Sequence, residues 1–184
     1  MESRFKILTV QQTNIKKLVL SSILTAIGTA ILILSSFFQT IDLTLAVVAS
    51  LFALFARLEI GRNYALLVYA ATSVLALILC PTKFSAFVYL GFAGFYPIIK
   101  PQFERLPKFF SYLLKLLLFN VALSLLLLLC IYVLKLPTEQ YGFSLLIYIL
   151  GNVTFIIYDL ALSQMVYYYA IKLRKRLKIQ SFFK

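Results

Sequence analysis

Apolar positions along this chain fall into six blocks separated by short polar punctuation. The blocks cover about 18–38, 43–60, 64–80, 84–99, 112–134 and 144–170, most of them near the roughly 20 residues that a helix needs to cross a bilayer. The uncharged part of the second block runs only from Leu43 to Ala56. At about 1.5 Å per residue that covers roughly 21 Å, so the segment crosses only by tilting, by snorkelling Arg57 or in a thinned bilayer, and a re-entrant element is the alternative. Pro97 and Pro101 close the short fourth block. The connections FQTID, EIGRN and PTK allow only antiparallel neighbours. The pattern predicts an all-α fold: a polytopic membrane bundle of about six transmembrane helices, forming a single domain over residues 1–184.

Composition agrees with the pattern. The chain of 184 residues is 62% hydrophobic and 13% charged, with a mean hydropathy of +0.97, far outside the range of soluble domains. The formal charge of +12 raises nucleic acid as a partner, but the charges flank the apolar blocks and read as topology signals. Of the 18 Lys and Arg residues, 15 fall in the two tails and alternate connections, and only Lys83 and Lys135 fall on the other side. The excess marks the cytoplasmic face, so both termini are predicted to be cytoplasmic, in the cell (inner) membrane. The remaining one, Lys115, is expected to snorkel to the headgroups from the inner end of the fifth span. The N-terminal apolar run is too long for a signal-peptide core and reads as the first span.

Chemistry is sparse. The chain has no histidine and only six acids, Glu2, Asp42, Glu59, Glu104, Glu139 and Asp159. No two are close in sequence, and there is no nucleotide-binding loop, nucleophile elbow or paired metal-ligand motif. The sequence therefore predicts no catalytic residue, no metal and no cofactor. Cys80 and Cys130 read as apolar packing residues. The Tyr167–Tyr169 run and the basic tail behind it read as an interfacial aromatic belt and a lipid-facing anchor.

Asp159 is the exception, being the one acid inside a long apolar run. A carboxylate at that depth needs a partner or a wet cavity. On a helical wheel Tyr148, Asn152, Asp159 and Ser163 share one stripe, with Ser144 nearby, and Asn120 on the fifth span lies at comparable depth, within reach of Asp159. Two readings remain open. In one the stripe lines a substrate pocket formed by Asp159, Asn152, Asn120, Tyr148 and Ser163. In the other Asp159 is an interhelical clasp to Lys115, Asn120 or serine hydroxyls.

Small residues form a second pattern. Ser22, Ala26 and Ala30 recur every fourth residue on the first span, and Ala46, Ala49, Ala53 and Ala56 share a face of the second. Such ridges permit close helix approach, either to each other or to a partner subunit.

Six short spans, a basic N-terminus leading into the Ala26-Ile-Gly-Thr-Ala30 segment, and the run IDLTLAVVASLFALFARLEIG together resemble the substrate-binding S component of energy-coupling factor transporters. The resemblance implies a bacterial inner-membrane subunit that captures a small micronutrient. It implies that Ala26 and Ala30 dock onto a transmembrane coupling subunit driven by two ATPases, and that Asn152 and Asp159 belong to the pocket. Two other functions fit the residues: a non-transporting membrane scaffold of envelope assembly, and a small proton-coupled carrier that uses Asp159.

Overall fold

The computed structural model describes residues 2–38, 41–132 and 145–173. Lys135, Glu139, Ser144 and the basic tail from Arg174 lie outside the described residues. Those described form helices and short turns, with no strand among them. In chain order the helices are α1 (Glu2–Ser35), α2 (Asp42–Glu59), α3 (Arg62–Leu79), α4 (Phe84–Val88), α5 (Tyr96–Phe103), α6 (Lys108–Tyr132) and α7 (Leu145–Tyr168). A π-helical turn, Tyr89–Ala93, joins α4 to α5, and another, Tyr169–Leu173, continues α7.

Among the described residues, four segments are long and apolar enough to cross a membrane: Gln12–Ser35, Arg62–Leu79, Lys108–Tyr132 and Leu145–Lys172. Large apolar side chains such as Leu117, Val121 and Leu125 on α6 and Ile149, Val153 and Ile157 on α7 point outward, as lipid contact requires. The second apolar block forms one continuous helix of 18 residues, α2. Its charged ends, Asp42, Arg57 and Glu59, set it apart from those four segments.

Helix α2 is the centre of the bundle. Ala46, Ala49, Ala53 and Ala56 are fully buried, and removing bulk from that face lets α1 and α3 come close to it. The face of α1 that meets them carries Ser21, Thr25, Thr29 and Ser35 together with Leu24 and Leu32, which pack on the alanines. The hydroxyls of Ser21, Thr25 and Thr29 return their hydrogen bonds to carbonyls four residues earlier in α1, so these three need no partner on the neighbouring helix, whereas Ser35 bonds both the Leu32 carbonyl and Ser85 on α4. The two alanine ridges do not pack on each other: Ser22, Ala26 and Ala30 face away from α2 and are exposed.

The fourth block is broken, for legible reasons. In its π-helical turn, Gly94 N–H donates to the Tyr89 carbonyl at 2.9 Å, one residue beyond the α-helical partner. The bypassed Leu90 carbonyl accepts from the Tyr69 hydroxyl at 2.7 Å. Pro97 has no N–H to offer the Ala93 carbonyl, which accepts from the Tyr158 hydroxyl at 3.0 Å. Two tyrosines, one on α3 and one on α7, thus satisfy the carbonyls that the break releases. An unpaired carbonyl in hydrocarbon would cost several kcal/mol, about what such a break must avoid.

Gly94 holds this arrangement together by lacking a side chain. A Cβ there would lie 2.7 Å from the Tyr89 ring and 2.8 Å from Tyr69, and Tyr89 is fully buried. Gly94→Ala is therefore expected to destabilise by about 1–3 kcal/mol. Gly28→Ala, whose new Cβ would meet Thr72 at an ordinary 3.4 Å, is expected to cost clearly less. Unfolding in mixed detergent micelles measures both, and equal costs would contradict the close packing at Gly94.

Candidate functional site

The polar stripe of α7 faces α6 and α5, and every member predicted from the sequence is placed there with a partner. Nearest the start of α7, the Tyr148 and Ser124 hydroxyls are 2.8 Å apart. One turn further, Asn120 and Asn152 exchange side-chain amide hydrogen bonds at 3.0 and 3.2 Å. The helices close tightly between these rungs, because a Cβ on Gly151 would lie 3.0 Å from Leu123 and 3.5 Å from Phe119.

The third rung is ionic. The Lys115 ammonium lies 3.1 Å from Asp159 Oδ2, and the Lys100 ammonium lies 2.6 Å from Asp159 Oδ1. The Tyr96 hydroxyl also donates to Oδ1, at 2.5 Å. Lys100 further donates to the Asp159 backbone carbonyl at 2.5 Å and to Ser163 Oγ at 2.6 Å. Glu104 closes the cluster, 3.6 Å from Lys100 and 3.5 Å from Lys115. Lys100, Lys115 and Asp159 are all buried, at 3%, 4% and 7% exposure, and Glu104 is the exposed member. Two ammoniums and two carboxylates sum to zero charge, which makes the cluster tolerable in a low-dielectric setting.

Three expectations are corrected by this geometry. Lys115 does not snorkel to the headgroups, because Asp159 holds its ammonium inside the bundle. Asn120 does not meet Asp159, because the antiparallel register sets it against Asn152, seven residues or about 10 Å earlier on α7. Lys100 is not a loop charge: it lies on α5, four residues after Tyr96, so one helix face presents both phenol and ammonium to Asp159.

Sequence reasoning passed over Lys100, Tyr96, Glu104 and Ser124 as site residues. The signal for Lys100 was local: a lysine between Pro97 and Pro101, on the same face as Tyr96 and Glu104, in a chain with one acid inside an apolar run. Around the ions lies an aromatic layer. Phe119 stacks on Phe155 at 4.7 Å and Phe92 on Tyr96 at 4.9 Å, with Phe92 edge-on to Phe119 at 5.1 Å. These rings keep water from the rung and join the broken helix to α6 and α7.

Tyr169 turns inward at the π-helical end of α7 and donates to Glu59 at 2.8 Å, while Tyr167 and Tyr168 stay exposed. Cys80 and Cys130 are buried free thiols. Three surface grooves are apolar: one between α1, α2 and α7 of about 310 Å³, lined by Phe52, Phe55 and Met165; one at Gly91 and Leu126; and one at Pro107 and Leu114. None of these three is lined by Asp159, Asn152, Asn120, Tyr148 or Ser163. Comparison with protein-family models, with curated proteins and with solved structures finds no match.

The clamp makes a stability prediction. Lys100→Met or Asp159→Asn alone leaves buried charge uncompensated and is expected to cost about 3 kcal/mol or more. The triple variant Lys100→Met, Lys115→Met, Asp159→Leu is expected to recover most of that loss. Unfolding of the three variants in mixed micelles checks it, and additive losses would show that the residues are not one unit.

Proposed function

We propose that the protein is a membrane-embedded substrate-capture subunit of a small-molecule uptake system, crossing six times with both termini cytoplasmic. Its partners, a transmembrane coupling subunit and ATPases, supply the energy, and its ligand is a small micronutrient. The observation that carries the reading is the division between the two alanine ridges. The ridge of α2 is consumed by the protein's own core, whereas Ser22, Ala26 and Ala30 form a flat, exposed strip along a membrane helix. A flat strip offers close approach to another helix without bulky side chains to displace. It coincides with the segment that resembles the docking ridge of S components.

Within this reading the neutral rungs serve the ligand. Asn120, Asn152, Ser124 and Tyr148 are partly buried and pair only with one another and with backbone. A polar ligand can exchange for such pairings at little cost. Asp159 and Ser163 then position α5 and α7 rather than exchange with cargo. A carboxylate shared by two ammoniums and a phenol is poorly suited to carrying protons, which weighs against the proton-coupled carrier. The scaffold of envelope assembly is the second reading, favoured by the mutual satisfaction of the α6–α7 polar groups and by the apolar lining of the three grooves.

Purification from the native membrane in mild detergent, with mass spectrometry of bound proteins and small molecules, separates these readings. The expected result is copurification of ATPases and a coupling subunit with the wild type. Ala26→Leu and Ala30→Leu are expected to lose those partners while keeping stability within about 0.5 kcal/mol, as exposed sites do. Asn152→Ala is expected to lose the retained small molecule. Envelope-assembly partners with no small molecule would replace the capture reading with the scaffold.

A further inference from the structure

At the end of the bundle remote from the clamp, the ends of α1, α2, α3 and α4 meet around a second buried acid. Asp42 is 7% exposed, and its Oδ1 is buried with no hydrogen-bond partner among the described residues. The Ser36 and Thr82 hydroxyls are buried and unpartnered in the same way. The Ser35 hydroxyl lies against the Asp42 carboxylate and is bonded at 2.6 Å to Ser85 Oγ, both serines being fully buried. Cys80, at the end of α3, lies beside Ser36 and within electrostatic reach of Asp42. The nearby cation is engaged elsewhere: the Lys83 ammonium donates to the Leu77 and Cys80 carbonyls at 2.8 and 2.6 Å and so caps α3.

A buried carboxylate oxygen with nothing to bind is strongly disfavoured. The chain solves that problem at Asp159 with two ammoniums, yet at Asp42 it supplies hydroxyls. Hydroxyl and carboxylate oxygens are ligands for hard cations. A divalent ion prefers several carboxylates, and this corner has one. Soft metals require sets of thiols or imidazoles, and no such group occurs among the described residues. A single positive charge matches a single carboxylate.

We propose that Asp42, with the linked hydroxyls of Ser35 and Ser85, forms a binding site for a monovalent cation, either a sodium ion or the primary ammonium group of a small organic molecule. The site is separate from the α6–α7 ladder and stands whether or not the protein captures a micronutrient.

The test is thermal unfolding of the purified full chain in detergent, followed by circular dichroism, in sodium, methylammonium or tetramethylammonium chloride at equal ionic strength. Tetramethylammonium has the charge but no N–H donor, and its methyl groups keep ligand oxygens from the charge. The expected result is a saturable rise of several degrees over the tetramethylammonium baseline. A rise in sodium alone identifies an inorganic ion, and a rise in methylammonium alone identifies an amine. Asp42→Asn is expected to abolish the rise while unfolding at or above the wild-type temperature in tetramethylammonium. Ser85→Ala, which leaves the carboxylate in place, is expected to shift the half-saturating concentration several-fold upward, and it reads the site even if Asp42→Asn does not fold. No rise in either salt, or an equal rise in Asp42→Asn or an unshifted midpoint in Ser85→Ala, overturns the proposal.

Discussion

The meeting of Lys100, Lys115 and Asp159 governs how half of this bundle is built. A carboxylate in the middle of a long apolar helix is expensive unless cations reach it. Here they arrive from two different elements, Lys115 from α6 and Lys100 from α5. Lys100 reaches Asp159 because the fourth apolar block is not one straight helix. The π-helical turn and Pro97 reset the direction of the chain, so that Tyr96 and Lys100 point together at α7. That break in turn survives because Tyr69 and Tyr158 take up the carbonyls it releases. Ion cluster, broken helix and tyrosine donors therefore stabilise one another, and none is intelligible alone.

The two halves of the molecule solve close packing differently. On the α1–α3 side, the alanines of α2 receive Leu24 and Leu32, and the Ser21, Thr25 and Thr29 hydroxyls are returned to their own helix, so the helices adhere by shape. On the α5–α7 side, rings and ions fill the space, and specificity comes from matched donors and acceptors along a three-rung ladder. The consequence for function lies in what each half leaves over. The first leaves an exposed strip of small residues on α1, suited to another helix. The second leaves neutral rungs whose hydrogen bonds are exchangeable beside an ionic rung whose bonds are not.

Much of this was legible in the sequence. The six apolar blocks mark the helices, because hydrophobic run length reports directly on what lipid must cover. The stripe Tyr148, Asn152, Asp159 and Ser163 marks the face of α7 turned to α5 and α6, because helical periodicity alone places it. Partner choice was not legible. Whether Asn120 meets Asp159 or Asn152 depends on the register of two antiparallel helices, and one turn of slippage changes every pair. The burial of Lys100 was hidden because charge counting treats every lysine at a helix end as a topology signal, and only the bend at Pro97 turns this one inward. The outward direction of Ser22, Ala26 and Ala30 was equally hidden, since either of two small-residue faces on α1 could have met α2.

The α5–α7 half of the bundle depends on Asp159 being closed within its clamp. A hydrophobic carbodiimide, which reacts with accessible protonated carboxyls in a membrane, measures this directly when the labelled protein is digested and mapped by mass spectrometry. The clamp predicts that Asp159 stays unmodified in the wild type and becomes modified once Lys100 and Lys115 are both replaced by methionine. Ready modification of Asp159 in the wild type would contradict it, and would place that carboxyl in an open cavity instead.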